Sequence, residues 1–427
     1  MMHKNTCRTL LAGALGALCL GIVGAGAVPA AASVSATGTP ASLGFNPMSV
    51  TFVSLGTGWA LGTLPCKSSG TCLALEKTTD AGRSWANQPL PPALLDSADR
   101  SVTNGIPKGS PGYTRLPAAL YGPYGLGVRF ADAEDGWIYG GLALSDGAYE
   151  AVLWSTHDGG ATWHHLPVLP GNMRTYDTVV FDLEAAGGAV YLMAPNSQGG
   201  VSVESSPVGS DSWHLDSTPA LGNPAGGGEQ DGAFVFQGGK GWLVEGNDRG
   251  VTGSAQLVRP GASEWKSWAA PCANVGNSFF VPAASTSANL VDVCQMGGFA
   301  FPLSKSAPKG ATIGSYWLYA SSNSGVSFSA EQRLGGNGYP FAGLVASPKP
   351  GVVLVGSGFT GTSEQELLAS FNGGRSWAPV YKGDLFYLGF TSPSQGVGLV
   401  RSSLQDATKT EMIMTFDGGG HWSEVSF

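Results

Sequence analysis

The sequence predicts an all-β protein, a seven-bladed β-propeller of four-stranded blades. Three observations predict it. An eight-residue phrase, Ser/Thr-x-Asp/Asn-x-Gly-x-x-Trp/Phe, recurs along the chain, as in Thr415 to Trp422 and Thr156 to Trp163. A Gly-Trp phrase stands at a fixed distance before it: Trp59 lies 26 residues before Trp85, and Trp137 lies 26 before Trp163. The composition, with 65 Gly, 27 Pro and 12% charged residues, favours short strands and many turns over helices.

The chain begins as a targeting segment. His3, Lys4 and Arg8 form a basic start, Thr9 to Val28 is apolar, and Ala30 to Ala32 supplies small residues for cleavage. Residues 1–32 therefore read as a signal peptide, with an uncleaved anchor as the alternative because the apolar run approaches a bilayer's span. A short tail, 33–44, precedes the propeller, 45–427. The expected location is secreted or cell-envelope. Four of the six cysteines remain after the leader. An even count in an exported chain suggests disulfides, by proximity Cys66–Cys72 and Cys272–Cys294. A zinc site is the competing reading, but there is no paired CxxC and no nearby His. Neither a metal nor another cofactor is expected. The net charge of −8, with no Lys/Arg run, argues against nucleic-acid or anionic-membrane partners. Once the leader is cleaved no membrane span is expected, and the chain reads as a monomer.

The units follow in order. Phe52 to Gly62 reads strand, turn, strand, and leads to the corner Thr78 to Trp85. A Pro/Gly-rich insertion at 88–126 follows. Phe130 to Gly140 leads to the corner ending at Trp163. Phe181 to Leu192 leads to Ser206–Trp213, which has lost its acid, and Phe236 to Trp242 leads to the degenerate Pro260–Trp265. Leu290 to Cys294 leads, after an insertion, to Ser321–Phe328; Leu344 to Val355 leads to Ser370–Trp377; Phe390 to Val400 leads to Thr415–Trp422. The closing aromatics fall 45 to 78 residues apart, near fifty when insertions are set aside. Repeats of that length, each with about four strands, are the pattern of propeller blades. Blade boundaries are least defined in the third to fifth units.

Each corner has a physical rationale. A short acid or amide accepts hydrogen bonds from amides just downstream, glycine supplies positive φ, and the closing aromatic tucks under the turn. Asp80, Trp85, Asp158, Trp163, Asn323, Phe328, Asn372, Trp377, Asp417 and Trp422 are accordingly read as structural. One active site cannot use every copy of a repeated corner.

These residues resemble a known family. The corner is similar to the Asp-box (BNR) repeat of sialidases, sortilin-type receptors and certain xyloglucan hydrolases. With its Gly-Trp phrase, the chain also looks like photosystem II assembly-factor-like propellers. The resemblance implies that every box joins the third and fourth strands of its blade, so all boxes share one face. The insertion at 88–126, the Cys66–Cys72 loop, the Cys272–Cys294 stretch and the insertion 295–315 then map to the opposite face.

Function concentrates on elaborated loops carried by a rigid scaffold, so that opposite face is the expected working face. Its candidate binding residues are Arg100, Tyr113, Arg115, Tyr121, Tyr124, Arg174 and Tyr176, types enriched at binding hot spots. The expected function is a non-catalytic binding or assembly scaffold for a protein or glycan. The alternative is a glycoside hydrolase on the same face, which needs two facing carboxylates; Asp177, Glu229, Asp231 and Asp384 are the candidates by loop position. A sialidase would also need an arginine cluster, and Arg100, Arg115, Arg129, Arg174, Arg333 and Arg401 are available. Tyr113 to Pro117 only faintly echoes the family's Arg-Ile-Pro motif and follows the first box instead of preceding it. There is no GxSxG, HExxH or Walker loop. His164 and His165 are neighbours on a strand, so they point to opposite faces and do not form a metal pair.

Overall fold

A computed structural model describes residues 44–65, 71–94, 126–143, 149–167, 182–195, 201–219, 231–247, 250–259, 261–272, 282–296, 307–312, 314–334, 344–357, 366–401 and 409–427. They form seven sheets, each of four consecutive antiparallel strands. The first blade is β1 (Asn46–Phe52), β2 (Gly58–Pro65), β3 (Thr71–Thr78) and β4 (Ala86–Gln88). The second is β5 (Leu126–Phe130), β6 (Gly136–Ala143), β7 (Tyr149–Thr156) and β8 (His164–His165). The third is β9 (Asp182–Ala186), β10 (Ala189–Pro195), β11 (Val201–Pro207) and β12 (His214–Leu215). The fourth is β13 (Asp231–Gln237), β14 (Lys240–Asn247), β15 (Gly250–Leu257) and β16 (Trp265–Ser267). The fifth is β17 (Ala283–Ala284), β18 (Leu290–Met296), β19 (Ser315–Ser321) and β20 (Ser329–Arg333). The sixth is β21 (Val345–Ala346), β22 (Val353–Ser357), β23 (Glu366–Ser370) and β24 (Ala378–Lys382). The seventh is β25 (Asp384–Phe390), β26 (Gly396–Arg401), β27 (Thr410–Thr415) and β28 (Ser423–Val425). The predicted seven-bladed, all-β architecture is correct; among the described residues the only helical turn is at 92–94.

Successive first strands adjoin one another, so they form the inner ring of the propeller. The core lies between blades. One cluster joins Trp59, Leu61 and Leu75 of the first blade to Leu126, Val128 and Ile138 of the second. Another joins Tyr191, Met193 and Val203 to Phe234, Leu243 and Trp265. Alternation along each strand sends neighbouring side chains to opposite blade neighbours, so both sheet faces read as apolar. Each fully buried large side chain contributes on the order of 1.5–3 kcal/mol.

The ring closes by packing, not by exchange of a strand. Phe45, Val50 and Trp85 share a cluster with Leu399, Met412 and Met414, and the Phe427 ring packs at a tilt against Phe45, centroids 4.5 Å apart. Thr410 Oγ1 donates to Pro47 O at 2.6 Å, and Gln395 Nε2 donates to Leu55 O at 2.9 Å.

Two expectations change. The insertion at 88–126 does not begin as an exposed loop: Gln88 ends β4, and Leu90 and Leu94 enter the core between the first two blades. The Cys272–Cys294 stretch is not a simple connection, because it contains β17 and most of β18. The disulfide Cys272–Cys294 is present, with Cα atoms 5.3 Å apart, and ties the link between the fourth and fifth blades to the second strand of the fifth. Cys72 is also disulfide-bonded, inside β3; Cys66 lies outside the described residues. No described helix is long and apolar enough to cross a membrane.

Candidate functional site

Antiparallel order fixes the ends of the ring. In every blade the first-to-second turn and the third-to-fourth corner lie at one end. The second-to-third connections and the links between blades therefore lie at the other.

The corner end is saturated by its own hydrogen bonds. Thr78, Thr156, Ser321, Ser370 and Thr415 each donate a hydroxyl to the acid or amide two residues on, at 2.8–3.0 Å. Each also accepts the amide of Gly82, Gly160, Gly325, Gly374 or Gly419. Those five glycines have φ between +77° and +97°, whereas the preceding position tolerates Ala81 and Ser324 at positive φ. A Cβ on Gly419 would lie 2.4 Å from Leu354 of the previous blade, so glycine also permits close packing. Asp158 Oδ1 accepts the amide of Thr162 and Oδ2 its hydroxyl. Those bonds from Thr162 hold the acid down at about 2. Around Asp80 burial acts upward, but bonds from Ser84 and Thr78 outweigh it and lower the acid. Asp417 is lowered in the same way, burial being overcome chiefly by His421. Trp85, Trp163 and Trp422 meet Phe52, Phe130 and Phe390 edge-on.

At the other end, Asp177, Glu229, Arg100, Tyr113, Arg115, Tyr121, Tyr124, Arg174 and Tyr176 lie outside the described residues. Asp231 and Asp384 are first residues of inner strands, not loop residues. Asp384 accepts a 3.1 Å ion pair from Arg401, whose guanidinium also sits over the Phe386 ring. His164 and His165 diverge as expected: one ring stacks near His157, the other lies 4.8 Å from Trp154.

The inner ring carries a polar cluster that sequence reasoning missed apart from Arg129. Val128 and Phe130 face the first blade, so alternation turns Arg129 toward the third. Its Nη2 pairs with Glu184 Oε1 at 2.5 Å, and its Nε donates to Leu183 O at 3.2 Å. Tyr387 of the seventh blade also bonds Arg129, reaching past the first blade. The Tyr139 hydroxyl lies over Gly127, where a Cβ would meet it at 2.9 Å. Asp182 accepts the amides of Leu183 and Phe234, which locks the third blade to the fourth. Arg129 and Glu184 keep 20% and 26% exposure because they face the axis, but protein surrounds them on their remaining sides. Burial raises Asp182, and it pushes Glu184 up to about 7 with Asp182 adding and Arg129 opposing. Two acids share one cation, so the pair takes a proton readily near neutrality. Burial raises both phenols, which stay neutral, while Glu184 keeps Arg129 charged despite its burial. The legible signal was Asp182-x-Glu184 at strand period; the cross-blade partners carry no signal in one sequence.

Arg129, Asp182 and Glu184 are thus engaged by one another or by backbone groups. A cleft of about 160 Å³ lies at the seam of the seventh and first blades, lined by Phe45, Pro47, Thr410, Glu411 and Phe427 among others. Small-molecule sites more commonly span roughly 300–1,000 Å³. Among the described residues, the sole cluster of potential metal ligands is Cys272, Asp292 and Cys294, whose sulfurs are joined.

No family model and no curated protein matches the chain. Solved structures do. A prolyl endopeptidase aligns over 89% of this chain with a TM-score of 0.52 and 10% identity; the chain spans 50% of that protein's length. The lectin BP39L from Burkholderia pseudomallei aligns over 88% of this chain and 98% of its own, at 12% identity and a TM-score of 0.49. The propeller domain of the Trilobed protease from Pyrococcus furiosus aligns over 90% and 98%, at 7% identity and 0.46. At such identities the likeness concerns fold alone.

Proposed function

We propose that the chain is an exported, non-catalytic binding scaffold of the Asp-box propeller type, contacting a protein or glycan through the end opposite the corners. One observation carries the reading: strand order sends every long connection, 89–125 and 297–314 among them, to that end. The corners, by contrast, are short, and five of the seven share one internal bonding pattern. Of the carboxylates proposed for the hydrolase alternative, Asp384 is held by Arg401, whereas Asp177 and Glu229 lie outside the described residues, so that alternative stands beside this reading.

The test uses the chain from Ser33 onward as bait for the medium and envelope of its source organism and for a glycan array. The expected result is a specific ligand lost from Tyr121→Ala/Tyr124→Ala, with melting temperature unchanged. Turnover of glycosides that disappears with Asp177→Asn, Glu229→Gln or Asp384→Asn would replace this reading by the hydrolase.

A further inference from the structure

The corner end carries a feature that the scaffold reading does not use. Large apolar side chains protrude there from three consecutive blades: Phe371 is 51% exposed, Phe416 58% and Leu55 58%. Phe371 and Phe416 occupy the same corner position, where the second blade has His157.

Hydrogen bonds and one close approach join these segments into a continuous strip. The sixth corner contacts its own blade's turn through Gly373 N–Gly351 O at 2.8 Å. Lys349 in that turn reaches the seventh corner: a Cβ on Gly418 would lie 3.8 Å from its Nζ. The seventh corner bonds Ser394 O through Gly418 N, and the neighbouring Gln395 bonds Leu55 O. The turn holding Leu55 bonds the first corner through Ala81 N–Gly56 O at 2.9 Å.

Charge sorts with this strip. Arg83, Lys349 and Arg375 are exposed along it and form no ion pair with a described residue. The strip's own acids, Asp80 and Asp417, point into corner amides. The second and third blades carry further exposed acids at the same end, Asp132, Glu134 and Asp211; the exposed Asp158 there points into corner amides as Asp417 does.

We propose that this strip is a second docking surface, and that it takes an extended acidic segment of a partner protein bearing apolar side chains. Apolar groups of the segment cover Phe371, Phe416 and Leu55, and its carboxylates meet Arg83, Lys349 and Arg375. Exposed aromatic patches rimmed by cations mark interaction sites, and complementary charge fixes partner choice. An anionic bilayer fits less well. A flat surface pressed on the strip would also meet the acids of the second and third blades, whereas a peptide touches the strip alone.

The test selects a displayed library of random dodecapeptides on the full chain. Phe371→Ser/Phe416→Ser serves for counter-selection, with Lys349→Glu/Arg375→Glu as a second bait. All four side chains are exposed, so folding is preserved, and melting temperature checks this. Enriched peptides are expected to be net acidic with aromatic or aliphatic residues. They should bind the Phe variant about tenfold or more weakly, and the Glu variant should shift enrichment toward basic peptides. Enrichment of neutral or basic peptides on the parent chain, or binding indifferent to these substitutions, overturns the proposal. So does binding to phosphatidylglycerol vesicles that needs Phe371 and Phe416 while no peptide is enriched.

Discussion

At the residue scale, the corner acid acts as a hydrogen-bond hub, and an amide does the same work. In Asp80 the second oxygen accepts the Ser84 hydroxyl at 2.6 Å; in Asn372 the amide nitrogen donates to the Ser376 hydroxyl at 2.8 Å. Either polarity closes the turn because a hydroxyl both donates and accepts. Asp80→Asn should therefore change thermal stability little, whereas Asp417→Ala should cost roughly 1–2 kcal/mol through lost turn bonds. Chemical denaturation of both variants checks this, and equal losses would contradict the hub. Glu245 shows the opposite situation. It is fully buried, neither carboxylate oxygen has a hydrogen-bond partner among the described residues, and burial pushes it up to about 7. Its folded value exceeds the usual 4.5, so ionisation destabilises the fold as pH rises from about 4.5 to about 7. Glu245→Gln should match the parent at pH 4 and be more stable at pH 8, by on the order of 3 kcal/mol. Parallel stability curves across that range would refute the assignment.

At the scale of elements, the regular units were legible and the degenerate ones less so. Equal Gly-Trp to corner spacing identified the first two blades, because both phrases sit at fixed places in one packing scheme. Trp59 donates to Gly159 O of the next blade's corner at 3.2 Å and stacks on Phe130 at 3.7 Å. Trp137 is placed alike, but the third corner has lost its acid and bonds differently, Ser206 donating to Ser210 O. The Trp137 indole nitrogen has no partner among the described residues, and neither has that of Trp242, although the fifth corner keeps the pattern. A different device joins the second and third blades: His157 bridges Asp135 at 2.6 Å and Asp211 at 3.3 Å. Burial acts against its charge, but bonds to the two aspartates outweigh it and raise the imidazole above 6.5. Its contribution is thus complete below pH 6.5 and is lost as pH rises through the raised value. His157→Phe, borrowing the residue of the sixth and seventh corners, should erase that part of the pH dependence. Melting curves of parent and variant from pH 5 to 8.5 that stay parallel would exclude the bridge. None of these cross-blade pairs could be read from the sequence, since partners such as His157 and Asp211 are 54 residues apart.

For the whole molecule, the ring and its polarity followed from repetition, whereas the axial cluster did not. Repeats announce themselves because each unit buries the same face against its neighbour. Arg129, Glu184 and Tyr387 meet only because the ring closes, and closure leaves no mark on any one unit. The buried acids also set a global response. Glu184, Glu204, Glu245 and Asp292 are pushed up to about 7, chiefly by burial. Each favours the fold when protonated, so stability falls as pH climbs from their ordinary range toward 7. The lowered corner acids act only below 3.8, where protonation undoes their bonds. The melting temperature should accordingly be higher at pH 5 than at pH 8, and a calorimetric scan showing the reverse would contradict this balance. The central claim concerns which end of the ring binds. Hydrogen–deuterium exchange on the Phe371→Ser/Phe416→Ser chain, with and without its captured ligand, addresses it with the corner strip disabled. The account predicts slowed exchange at the amides of strand ends such as Leu64, Thr71, Ala194 and Val201, with corners unchanged. Slowed exchange confined to the corners, or no ligand retained, would contradict it.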